Sequence, residues 1–232
     1  MKQIPLAIAF DVKRSFESFI AGSNQAAVEQ FARHLPNSAP LYLWGPSGSG
    51  KTHLLQALAQ AQQAGGTQLG WFDAAVPLPW PFDDAWSLLV LDDCDAYSAE
   101  QQQAAFALFV EAASQGTTVF AAGRVPPVDL PLRDDLRTRL GWGLVLALQP
   151  PCEADTRAAL RREAERKGLF LSDEVMDYLL TRFERDLKNL MKLLERMDQF
   201  AWVHKRAITV PALKQMLLET TAQTPFAQAA VS

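Results

Sequence analysis

The chain has 232 residues, 49% hydrophobic and 21% charged, with a mean hydropathy of −0.04. That supplies a real core and suits one large domain with or without a small companion, which excludes a disordered tail or a fibrous protein. A net charge of −4 and a pI near 5.4 exclude a broad basic footprint for duplex DNA, and two cysteines, Cys94 and Cys152, make no disulfide framework.

Residues 1–12 read as a short apolar arm in which Pro5 opposes a helix. Ala27, Val28 and Phe31 form a helical stripe, so a helix is expected over 23–34, with Ser23 or Asn24 as its N-cap. A buried strand over 41–44 runs into a Gly-rich turn and a helix over 51–63. A second strand is expected over 68–72. Residues 73–87 hold three prolines and no helical period, which predicts a loop. Residues 88–92 are an apolar run ending in carboxylates, the pattern of a strand buried on both faces. A helix over 101–115 and strands over 117–122 and 144–148 follow. Strands alternating with helices predict a parallel sheet with helices on both faces. After Gln149-Pro150-Pro151 only helical patterns remain, over 153–167, 172–182, 185–204 and 209–220. The expected organisation is an arm (1–12), an α/β core (13–150), a helical domain (151–221) and a flexible tail (222–232). No apolar run reaches the roughly 18 residues of a membrane span, and the N-terminus lacks a signal-peptide pattern, so a cytoplasmic protein is expected.

GPSGSGKT, Gly45 to Thr52, matches G-x-x-x-x-G-K-[ST] between a strand and a helix. Gly45, Pro46, Ser47, Gly48, Ser49 and Gly50 would turn backbone N–H groups toward phosphate oxygens. Lys51 would neutralise the outer phosphates, and the Thr52 hydroxyl would bind Mg²⁺. In LLVLDDCD, Leu88 to Asp95, the strand would deliver Asp92 to the Mg²⁺ shell, and Asp93 could orient or activate water. His34, His53 and His204 are too scattered for a zinc site, and no serine triad is visible. Cys94 reads as a packing residue. Trp44, Trp142 and Trp202 read as core or interface anchors rather than base-stacking platforms.

These motifs together resemble the AAA+ ATPases. More closely, the chain looks like the DnaA-related family, and like its short Hda-type branch, over nearly all of residues 13–220. FESFIAGSN, Phe16 to Asn24, resembles the family's adenine-packing segment, which implies Phe19, Ile20 and Gly22 at the base and His53 beside them. LRTRLGWG, Leu136 to Gly143, looks like the arginine-finger box. The resemblance implies that Arg139 reaches a partner's γ-phosphate, where a planar permanent cation suits phosphoryl transfer. The competing reading is an ion pair of Arg139 with Asp134 or Asp135, or a free surface arginine. Lys188 stands where the family's lid carries a sensor arginine, and Gly123 stands where a polar or acidic residue usually precedes Arg124. No helix-turn-helix follows Thr221, and 73–87 is too short for the initiator's single-strand-handling helices, so no sequence-specific DNA binding is implied. QIPLAI, Gln3 to Ile8, resembles peptides that dock on the bacterial sliding clamp, the β subunit of DNA polymerase III, through Gln3, Ile4, Leu6 and Ile8.

The resemblance implies a negative regulator of replication initiation that holds ADP or ATP with Mg²⁺ and has weak ATPase activity of its own. Tethered to the clamp, it would stimulate hydrolysis of ATP bound to the initiator DnaA through Arg139. A homo-oligomer is compatible with this. The alternatives are a self-contained ATPase, such as a helicase loader or initiator-like oligomer, and an adaptor that binds nucleotide only for stability.

Overall fold

In the computed structural model, residues 15–34, 39–183, 187–204 and 208–222 are described. The arm with Gln3, Ile4, Leu6 and Ile8 lies outside them, as do residues 223–232 of the expected tail. The chain divides into two compact units with the boundary between Pro150 and Pro151.

The first unit is built on five parallel strands: β1 (Leu41–Trp44), β2 (Leu69–Phe72), β3 (Leu88–Leu91), β4 (Thr118–Gly123) and β5 (Leu144–Ala147). Their spatial order is β2-β3-β4-β1-β5. The helices are α1 (Gln25–Ala32), α2 (Lys51–Ala64), α3 (Ala99–Gln115) and α4 (Asp134–Leu140). Strand alternation sorts side chains to two faces. Leu41, Leu43, Leu88, Val90, Phe120 and Ala122 pack on one face with Leu54, Leu55 and Leu58 of α2 and Phe31 of α1. Tyr42, Leu89, Leu91, Val119 and Ala121 pack on the other with Leu108 and Phe109 of α3 and Leu136 of α4. Burying each such side chain contributes about 1.5–3 kcal/mol, so a sheet clad on both sides carries the unit. The P-loop strand β1 is an interior strand, between β4 and the edge strand β5.

The elements lie where periodicity predicts, within a few residues, and α4 is an additional short helix that overlaps the expected arginine-finger box. Helix α3 begins earlier than expected because Ser98 and Gln101 form a capping box. Asn24 occupies the N-cap position of α1 but does not cap it. Its amide instead donates to Gln149 O (2.9 Å) and accepts from Gln149 N (2.8 Å), stitching α1 to the exit of β5. The segment 73–87 is irregular but packed: Trp80 lies 5.0 Å from Phe72 and 5.3 Å from Tyr97, centroid to centroid. Cys94 is a packing residue, fully buried with Sγ donating to Leu91 O. Of the three tryptophans read as anchors, Trp44 is half-buried, whereas Trp142 and Trp202 are largely exposed and belong to no core.

The second unit is all helical: α5 (Glu153–Arg166), α6 (Asp173–Arg182), α7 (Leu187–His204) and α8 (Val210–Ala222). Leu160, Val175, Met176, Leu179, Leu194, Met197 and Leu213 close its core. Lys188 belongs to α7, and its side chain lies outside the described residues. No described helix is long and apolar enough to cross a membrane.

Candidate nucleotide site

The phosphate loop leaves the C-terminal end of β1 and enters α2. It is tied to β4 by Gly45 N–H donating to Gly123 O at 3.3 Å. Pro46 and Ser47 are exposed, Gly48 and Gly50 half-buried, and Gly45 and Ser49 buried. Gly50 has φ of +98°, and a Cβ there would come within 2.4 Å of the Phe19 ring. Only glycine satisfies both demands. Phe19 also meets His53 edge to face at 5.5 Å. His53 Nε2 lies 3.0 Å from Ser18 Oγ and 3.2 Å from Ser15 O. The segment 15–20, including the half-buried Ile20, is thereby held against the start of α2, and Gly22 opens the turn that leads into α1.

Lys51 is buried at the base of the loop, and its Nζ donates to Gly45 O (2.7 Å) and Pro46 O (3.1 Å). Burial lowers its pKa, and Arg124 adds to that, while Asp93, Asp92 and Asp95 oppose it. Asp92, at the end of β3, is also buried. Burial pushes its carboxyl up to about 6, with the Asp93 charge acting the same way. The Thr52 hydroxyl, the Asp93 N–H and the Lys51 charge pull it back. The Asp93 N–H donates to Asp92 Oδ1 at 2.9 Å, and Asp93 itself takes φ of +49°. That left-handed conformation costs an aspartate little, and its side chain is half-buried.

The residues present suit a phosphate ligand. The Ser49 hydroxyl is buried and has no hydrogen-bond partner among the described residues. Leaving such a group unpaired costs about 1–3 kcal/mol, and a phosphate oxygen is the acceptor this loop is shaped to receive. Thr52 and Asp92 are hydrogen-bonded to each other and could hold Mg²⁺, a hard cation that takes oxygen ligands and keeps several waters. No group of three or more His, Cys, Asp or Glu side chains able to hold a metal occurs among the described residues.

The Asp92 carboxyl predicts a pH effect on stability. Its pKa is raised from 3.8 to about 6, so the protonated form favours the fold below about pH 4. That contribution is lost as pH rises through 6. Asp92→Asn is therefore expected to stabilise the ligand-free protein at pH 7.5 by about 1–3 kcal/mol, with the gain vanishing near pH 4. Urea denaturation at both pH values measures it.

Arg139 lies on α4, half-buried. The carboxylates weighed as its partners are taken by others: Arg137 binds Asp134 at 2.6 Å and Arg133 binds Asp135 at 2.7 Å. The Arg139 guanidinium instead faces the Phe106 ring of α3 at 6.0 Å, with no carboxylate within salt-bridge distance among the described residues. Sequence reasoning missed Phe106, Tyr42 and the Asp95–Arg124 pair. Each acts through a contact between distant parts of the chain, and no local motif marks them.

The family model for the Hda lid domain matches residues 153–217, and that for the bacterial DnaA ATPase domain matches residues 10–69. The chain is a DnaA-related AAA+ protein with an Hda-type lid. Solved structures agree on its architecture. Domain III of the Thermotoga maritima replication initiation protein DnaA superposes with a TM-score of 0.72 at 20% identity, over 89% of this chain and 96% of that one. AMPPCP-bound DnaA from Aquifex aeolicus gives 0.65 at 20% identity, over 91% and 70%. The Thermotoga maritima RuvB branch migration motor gives 0.60 at 17%, over 89% and 72%. At these identities the likeness is one of fold. It makes this Hda-like chain an AAA+ α/β core followed by a helical lid, as its sequence predicts.

Proposed function

We propose that this protein switches off replication initiation by stimulating hydrolysis of ATP bound to the initiator DnaA. The observation that carries the reading is the state of Arg139. Arg137 of α4 and Arg133 at its N-cap are each paired with one of the helix's own carboxylates, while Arg139 has no carboxylate partner among the described residues and lies 6.0 Å from the Phe106 ring. A cation held this way keeps its charge for an external anion, and the phosphates of a partner's nucleotide are the ligand that the family match suggests. The chain's own loop, with Lys51, Thr52, Asp92 and the unpaired Ser49 hydroxyl, would hold ADP or ATP with Mg²⁺. Gly123 and Lys188 favour weak turnover there. The arm residues Gln3, Ile4, Leu6 and Ile8 would tether the protein to the sliding clamp. This part of the reading rests on the sequence alone.

The test is ATP hydrolysis in a mixture of this protein, ATP-loaded DnaA from the same host and DNA-loaded clamp. Arg139→Ala is expected to lower the stimulated rate by about 100-fold or more, given that arginine fingers supply 10³–10⁵. Gln3→Ala with Leu6→Ala is expected to remove the clamp dependence alone. Turnover by this protein by itself, indifferent to DnaA and clamp, would instead make it a self-contained ATPase. Stimulation that survives loss of Arg139 would leave it an adaptor.

A further inference from the structure

The C-terminal edge of β3 gathers three carboxylates, Asp92, Asp93 and Asp95, beside the phosphate loop. Of these three, Asp95 is the one with an ion-pair partner among the described residues. Arg124 Nε lies 3.3 Å from its Oδ2, and the Arg124 backbone N–H donates to its Oδ1 at 3.0 Å. Arg124 directly follows Gly123, whose carbonyl accepts from the first N–H of the phosphate loop. The pair therefore sits at the mouth of that loop. The Asp95 side chain is 14% exposed and that of Arg124 62%, so the carboxylate is fixed while the guanidinium reaches into solvent.

We propose that the Asp95–Arg124 pair sets the preference of this site between a nucleoside triphosphate and a diphosphate. This rests on the reading of Gly45 to Thr52 as a nucleotide site. A triphosphate brings one more negative charge than a diphosphate to an edge already crowded with carboxylates. Arg124 cancels the Asp95 charge there. Without Arg124, Asp95 stands unpaired and repels the more highly charged ligand more strongly. Without the Asp95 charge, Arg124 is left as a free cation and favours it.

The experiment measures affinities of the full-length protein for ADP and for AMPPCP, with and without Mg²⁺. Arg124→Ala is expected to lower the AMPPCP-to-ADP preference about fivefold to tenfold at low salt, and Asp95→Asn to raise it by a similar factor. Asp95→Asn with Arg124→Ala should return the preference to within about twofold of the parent protein, because the charges leave together. Arg124→Lys should preserve it, since charge rather than fork geometry acts here. The shifts should shrink at high salt, as fits a largely exposed guanidinium. All these variants keep the backbone N–H of residue 124, Asp95→Asn keeps an Oδ1 to accept from it, and thermal melts verify their folding. Equal weakening of both ligands by Arg124→Ala overturns the proposal, as does a double variant no closer to the parent than the single one. A parent protein that binds neither ligand overturns the nucleotide-site reading and this proposal with it, whereas binding with an unmoved preference overturns this proposal alone.

Discussion

Lys51→Met is expected to weaken nucleotide binding by about 100-fold while leaving the ligand-free fold as stable as before or slightly more so. A charged hydrogen-bond donor to phosphate contributes about 1.5–3 kcal/mol, and the loss of its full charge from a buried site enlarges that. The fold loses little for a physical reason. Lys51 is buried, its pKa is depressed chiefly by that burial, and among the described residues its ammonium donates to Gly45 O and Pro46 O. Methionine keeps the apolar stem and removes a charge that burial disfavours, which offsets the two carbonyl hydrogen bonds given up. Two melts separate the effects. Without nucleotide the variant should unfold at or above the parent's temperature. With nucleotide at 100 times the parent's Kd, the parent should gain about 2.7 kcal/mol and the variant almost nothing. An unchanged nucleotide-induced shift in the variant would remove Lys51, and the loop with it, from the proposed site.

The fold is legible in the sequence because both signals that specify it are local. Continuous apolar runs such as Leu88 to Leu91 mark strands covered on both faces, and β3 is buried along its whole length. The stripe of Ala27, Val28 and Phe31 marks α1, whose Phe31 is fully buried. The phosphate loop is legible because its eight residues are contiguous and flanked by a strand and a helix. What surrounds it is less so. That Asn24 bonds to Gln149 rather than capping α1, and that Arg139 faces Phe106 rather than Asp134 or Asp135, depends on which segments the sheet brings together. Trp142 and Trp202 show the limit of reading burial from residue type: a large aromatic ring is as compatible with an exposed position as with a core. Their exposure depends on neighbours that no periodicity names.

Gly123 is the departure from the family pattern that the structure explains most directly. Gly123→Ala is expected to destabilise the protein by about 1–3 kcal/mol, because a Cβ there meets atoms that cannot move away cheaply. It would lie 2.1 Å from the Tyr42 hydroxyl. Tyr42 is fully buried in the sheet, and its hydroxyl donates to Val125 O at 3.0 Å. Burial pushes its phenol well above the ordinary range, so it stays a neutral donor. Tyr42→Phe alone gives up that bond and should cost about 1 kcal/mol. Together the two changes should cost less than their sum, by about 1 kcal/mol or more, since without the hydroxyl the nearest atoms are Tyr42 Cζ at 3.2 Å and Asp95 Oδ1 at 3.3 Å. Urea denaturation of the four proteins measures the coupling, and strict additivity would mean that the hydroxyl is not what holds this position to glycine. The same geometry bears on turnover. An acidic side chain at position 123 would start inside the Tyr42 hydroxyl and point toward a carboxylate already paired with Arg124. Tyr42 and Asp95 thus occupy the space that such a side chain would enter first. Weak turnover at this loop is what the proposed function expects, since its chemistry takes place on a partner.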